Sequence, residues 1–242
     1  MKKEKKLLGV MGGLGPLATT HFMELVISMT DADCDQDNVD MIVYNFPSIP
    51  DRTGFILGSN LRSPLPGLLT VGHALSRQGT DFIAIPCMTA HYFYEELKAG
   101  ISARIINGVQ ETVDHLKENG VTAAGIMATD GTISSNLFVR ELIDAGILPV
   151  LPSQRRQEDV MHLIYRNIKA GKPVEMDRFR AVETELREKG AQVIILGCTE
   201  LSQIRRDNEL NPGFLDAMQV LARSAILACG GKLKDPYQCL IT

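Results

Sequence analysis

Gly9-Val10-Met11-Gly12-Gly13 returns 116 positions later as Gly125-Ile126-Met127-Ala128-Thr129. Ile83-Ala84-Ile85-Pro86-Cys87 returns 111 positions later as Ile194-Ile195-Leu196-Gly197-Cys198. Each copy is a short apolar run that stops at a turn, the pattern of a strand buried on both faces. Two echoes in the same order, at nearly equal offsets, mark two similar halves. Working outward, strands are predicted at 7–11, 41–46, 82–85, 123–127 and 193–196. Between them, apolar residues at three- and four-residue spacing predict helices at 18–29, 65–78, 107–119, 135–145, 157–170, 176–189 and 214–229. Buried strands separated by helices imply an α/β protein: two similar doubly wound lobes with mainly parallel sheets, pseudo-twofold related. The expected division is 1–104 and 105–211, with 212–242 packing back on the first lobe.

Parallel sheets bind ligands at the carboxyl ends of their strands, so the active site is expected between the lobes. Cys87 and Cys198 both stand there, each where a strand gives way to a helix. A helix start favours negative charge, which predicts a lowered pKa for both thiols. For Cys34, Cys229 and Cys239 the expected reading is an inert free thiol. Five scattered cysteines without a C-x-x-C pair or zinc-finger Cys/His spacing predict a reducing compartment and no structural metal.

The 242 residues are 45% hydrophobic and carry a formal charge of -4, from 25 basic and 29 acidic side chains with no long block of either sign. No nucleic-acid footprint is visible, and small-molecule chemistry is expected. The cluster Lys2, Lys3, Glu4, Lys5 and Lys6 reads as a solvated terminus. No run reaches membrane-spanning or signal-peptide length, so a cytoplasmic protein with no membrane contact is expected.

Two thiols on opposite sides of a substrate suit inversion of a stereocentre, one removing a proton and the other delivering one. Neither metal nor pyridoxal is compulsory where donors stabilise the carbanion. Thr89, Thr129, Thr199 and the Gly12-Gly13 backbone are the candidate donors; helix capping explains each threonine equally well. His91 follows Cys87 by one helical turn, placed either to tune the thiolate or to serve as a partly buried structural histidine. The Gly-rich opening has neither dinucleotide-binding nor P-loop spacing, and reads as a close backbone approach to a carboxylate.

Over essentially its whole length the chain resembles the aspartate/glutamate racemase family, part of the aspartate/glutamate/hydantoin racemase group. The resemblance rests on Met11-Gly12-Gly13-Leu14-Gly15-Pro16-Leu17-Ala18-Thr19 and Pro50-Asp51-Arg52-Thr53. Pro86-Cys87-x-Thr89-Ala90-His91 and Leu196-Gly197-Cys198-Thr199-Glu200-Leu201 complete it. It implies cofactor-free racemisation of a dicarboxylic amino acid (aspartate and/or glutamate) by Cys87 and Cys198, and frequent homodimers. It also implies that Arg52, in a loop, and Lys169 hold the side-chain carboxylate; a solvated helix end is the alternative for Lys169. Met11, Gly12, Thr89, Thr129, Thr199 and Glu200 complete the expected substrate-binding set, with a first-turn helix carboxylate the alternative for Glu200. Met88 departs from the family, which usually has Asn directly after the first cysteine. A thioether is a poor hydrogen-bonding partner, so an isomerase or decarboxylase of a dicarboxylic acid and a non-catalytic binder of anionic metabolites stay open beside racemisation.

Overall fold

In the computed structural model, which describes residues 5–242, the echoing runs form the inner strands of two separate sheets. Lys2, Lys3 and Glu4 of the basic start lie outside the described residues. The first half runs β1 (Leu8–Gly12), α1 (Pro16–Met29), β2 (Met41–Asn45), α2 (Arg52–Ile56) and α3 (Leu65–Arg77). It continues through β3 (Phe82–Ala84), α4 (Tyr94–Gly100) and β4 (Arg104–Ile105). The second half runs α5 (Gly108–Glu118), β5 (Ala123–Met127), α6 (Asp130–Ser134), α7 (Leu137–Asp144), β6 (Leu148–Val150) and α8 (Gln154–Met161). It closes with α9 (Met176–Glu188), β7 (Val193–Leu196), α10 (Thr199–Asp207), β8 (Phe214–Asp216) and α11 (Ala217–Ala228). Among these elements no helix is long and apolar enough to cross a membrane.

Strand order is β2-β1-β3-β4 in one sheet and β6-β5-β7-β8 in the other, with every pairing parallel. The same order in both sheets is what the internal echo requires. Side chains alternate across each strand, and the burial follows suit. Leu8, Val10 and Ala84 from one sheet, with Ala124, Ile126, Val193 and Ile195 from the other, enter a single middle core. Helices α1, α5, α7 and α11 fill that core between the sheets. Met11, Ile83 and Ile85 point to the opposite face, under Leu68, Val71 and Leu75 of α3. Met127, Ile194 and Leu196 do the same under Phe179, Val182 and Leu186 of α9.

Three expectations are corrected. The helix expected at 214–229 begins as strand β8, and only from Ala217 is it helical, because the Asp216 carboxylate caps α11 by accepting from the Met218 N–H at 2.9 Å. The tail therefore does not return whole to the first half. β8 pairs with β7 in the second sheet, whereas α11 packs on α1 and α5, and Leu233 bridges to Thr30. The helix expected at 157–170 is α-helical over Gln154–Met161 and π-helical over His162–Ile168, with the Lys169 N–H donating five residues back to the Ile164 carbonyl. Such π turns are rare and concentrate at functional sites.

Candidate active site

Cys87 follows the end of β3, and Cys198 is the N-cap of α10 just after β7. Both thiols line one small inner cavity of about 10 Å³, room for roughly one water molecule. Leu14, Asp51, Arg52, Thr53, Met88, Thr89, Thr129, Tyr165, Lys169, Thr199 and Glu200 complete its wall. A wider pocket of about 460 Å³ lies outside it, and Leu14, Asp51, Arg52, Lys169 and Glu200 belong to both. These five residues form the partition between solvent and the thiols.

On one side of the cavity, the Cys198 thiol donates to Glu200 Oε2 at 2.9 Å, and the Thr199 hydroxyl donates to the same oxygen at 3.2 Å. Glu200 Oε1 faces Lys169 Nζ at 3.7 Å, and the ammonium lies 4.4 Å from the centre of the Tyr165 ring. Burial, and then the Glu200 carboxylate, push the Cys198 thiol well above the usual thiol range. Lys169 and the Glu200 backbone N–H act in the opposite direction and lose. The lowered pKa expected from the helix start is thus reversed at Cys198, because desolvation of a sealed thiolate outweighs a helix terminus. Lys169 itself is held above the usual lysine range: burial acts to lower it, but Glu200 and Cys198 more than offset that.

On the other side, Arg52 is the first residue of α2 rather than a loop residue, and Asp51 caps that helix by accepting from the Gly54 N–H at 2.6 Å. Arg52 as a whole is 7% exposed. Its guanidinium Nη2 donates to the Leu14 carbonyl at 2.9 Å and its Nη1 to the Pro50 carbonyl at 3.1 Å, whereas Nε has no partner. Burial acts to lower its pKa, but Cys87 and Asp51 beside it prevail and raise it. His91 does not approach the Cys87 sulfur. Its Nε2 accepts from the Gly108 N–H at 3.0 Å, which leaves Nδ1–H to donate to the Cys87 carbonyl at 3.2 Å. The imidazole is kept neutral by burial, and its role is to fix the backbone that carries Cys87.

Between the two sides, the Thr89 hydroxyl of the first half contacts those of Thr129 and Thr132 in the second at 3.0 Å each, and the latter two meet at 3.1 Å. Thr129 is also the N-cap of α6, accepting from the Thr132 N–H at 3.3 Å, so the capping reading holds for it. Thr129→Ala is expected to cost about 1–2 kcal/mol of stability, read as a lower midpoint of urea unfolding. An unchanged midpoint would mean that neither cap nor hydroxyl cluster contributes.

Residues 11–225 match a family model described as Asp/Glu/Hydantoin racemase. The chain belongs to this family. It is 28% identical over 229 residues to the broad specificity amino-acid racemase RacX of Bacillus subtilis, which covers 91% of this chain and 96% of that protein. The structure of Picrophilus torridus aspartate racemase superposes with a TM-score of 0.84 at 30% identity, over 97% of this chain and 99% of that one. The fold also matches Francisella tularensis glutamate racemase, solved with D-glutamate, with a TM-score of 0.65 at 15% identity over 93% and 82% of the two chains.

Of the family residues anticipated from the motifs, Cys87, Cys198, Arg52, Thr89, Thr129, Lys169, Thr199 and Glu200 meet at the inner cavity. Met11 and Gly12 do not line it. The alternation of β1 sends Met11 into the outer core beneath α3, and Gly12 lies against Thr19, where a Cβ would come within 2.3 Å of the methyl group. Leu14, two residues on, is the part of that turn that reaches the cavity. Asp51, Thr53 and Tyr165 were not anticipated. Tyr165 had a signal, since it precedes Lys169 by four residues and so shares its helix face.

Proposed function

We propose that the protein racemises amino acids, aspartate and glutamate among them, by a two-thiol mechanism without pyridoxal or metal. The observation that carries this reading is that Cys87 and Cys198, from equivalent strand ends of the two halves, line one cavity together with two cations. The thiolate of one cysteine takes the α-proton, and the thiol of the other gives its proton to the opposite face of the carbanion. The cysteines then hold exchanged protonation states, so the reverse reaction uses the same groups in the opposite roles. Arg52 and Lys169 hold the substrate's carboxylates, Arg52 through two-point geometry and Lys169 as a point charge. The names of the relatives agree: one is called a broad specificity amino-acid racemase and another an aspartate racemase. Met88 lines the cavity with a thioether, which supplies apolar contact instead of a hydrogen bond and favours tolerance over strict selection.

The test is isotopic. L- and D-aspartate and L- and D-glutamate, each incubated in deuterated water, are expected to gain α-deuterium and to yield both enantiomers. Complete retention of the α-proton in every amino acid of a broad panel would overturn the reading. Lys169→Met is expected to raise KM for the acidic substrates by roughly ten-fold or more, the loss of about 1.5–3 kcal/mol from one charged contact, with kcat reduced less. An equal rise for alanine would remove Lys169 from side-chain recognition.

A further inference from the structure

The cavity surrounds its two thiols differently. Cys87 has the Arg52 guanidinium beside it, whereas Cys198 has the Glu200 carboxylate, Sγ to Oε2 2.9 Å. Two residues after Cys87, at the position that answers to Glu200, the first half has Thr89. The duplicated unit therefore carries a carboxylate on one side only. Glu200 is 4% exposed and its geometry is determined from three directions: the Cys198 thiol and the Thr199 hydroxyl converge on Oε2, and Lys169 Nζ faces Oε1. Gly15 packs against the same group, since a Cβ there would lie 3.2 Å from Oε1. A carboxylate that accepts from two donors and faces a cation has no proton to give, so the proton between Glu200 and Cys198 belongs to sulfur.

We propose that Glu200 is the positioning residue that makes Cys198 the proton-carrying thiol of the resting enzyme, which leaves Cys87 to remove the first α-proton. This rests on the two-thiol reading above. In the step, the Cys87 thiolate takes the proton from the α-carbon and becomes a thiol, and the electron pair stays on carbon. The carbanion then takes the proton of Cys198 on its other face, leaving a Cys198 thiolate next to the Glu200 carboxylate. That product form is the costlier of the two, since like charges meet in a dry site. The forms that bind the two enantiomers are thereby unequal, although the substrate equilibrium itself is symmetric.

The groups facing Cys198 are Glu200 and Thr199 from α10, Lys169 and Tyr165 from the π turn, Asp51 and Arg52 from the start of α2, and Cys87. Glu200→Gln removes one charge from this set and keeps the size and an acceptor oxygen. The kcat/KM profile against pH reports the ionisations of the thiol pair. In the variant its alkaline limb is expected to fall by about one pH unit or more, with the acid limb moving less. A merely structural role would lower activity at all pH values alike, and an active variant with an unmoved alkaline limb overturns the proposal.

A second measurement does not need turnover. Iodoacetamide labelling of Cys198, followed by peptide mass spectrometry against pH, is compared between Cys87→Ser and the same variant carrying Glu200→Gln. The labelling midpoint is expected to drop when the carboxylate is removed, and equal midpoints overturn the proposal. If the midpoint drops but the unaltered protein exchanges no α-proton at any pH, the Glu200 and Cys198 pairing is supported and the racemase reading is the one that fails.

Discussion

Cys87→Ser and Cys198→Ser are each expected to lower kcat for racemisation by on the order of 10²–10⁴-fold, the usual worth of a positioned acid or base. Serine is close to cysteine in size and both thiols are buried beside their lobe's outer core, so the fold has little to lose. The hydroxyl is a far weaker acid and base. Because a single turnover needs both groups, the double variant is expected to be barely worse than either single one. Chiral chromatography of aspartate and glutamate after incubation gives the rates. Retention of about a tenth of the activity in either variant, well outside the range for a lost acid or base, would show that proton transfer does not pass through that sulfur.

Gly13→Ala is expected to cost about 3–5 kcal/mol of stability, combining backbone strain with forced displacement of neighbours. Gly13 has φ of 88°, and a Cβ there would meet the Phe46 nitrogen at 2.3 Å and the Phe46 carbonyl carbon at 2.5 Å. Those are backbone atoms with no rotamer to move. The Gly13 N–H also donates to Thr19 Oγ1 at 2.9 Å, so the turn cannot shift without loosening α1. Gly58 is the control: its φ is 73° and nothing lies within 4 Å of a Cβ. Urea unfolding of Gly13→Ala and Gly58→Ala separates the two effects. Equal midpoints would mean that the contact with Phe46 is accommodated and conformation alone matters. Because Leu14 follows directly and lines the cavity, Gly13→Ala is also expected to weaken activity before it unfolds the chain.

The inner strands were legible because each is apolar on both faces and recurs. The edges were not. β4 has only two residues, and β6 carries Pro149 within a three-residue edge strand, too short for any period to register. β8 was hidden because its apolar residues continue without a break into α11, and the only sign of the change is the capping carboxylate of Asp216. At the site, the expected residues other than Met11 and Gly12 converge, but their partners could not be read. That Glu200 accepts from Cys198, and that His91 spends both nitrogens on backbone, are consequences of tertiary packing. At Cys198 the helix start is a local influence, and burial, which a motif does not report, outweighs it.

The middle core dictates how a substrate reaches the sulfurs. Leu8 and Val10 share it with Ala124 and Ile126, so prying one sheet from the other would wet apolar surface that both halves need covered. Under the proposed function an amino acid, far larger than the water-sized space around the thiols, has to enter it. Admission therefore falls to the rim: the Leu14 turn latched by Arg52, and the π turn whose Lys169 is tied to Glu200. Opening there parts the Arg52–Leu14 hydrogen bond and the Lys169–Glu200 pair and draws Leu14 from the outer core, but it leaves the two sheets in place.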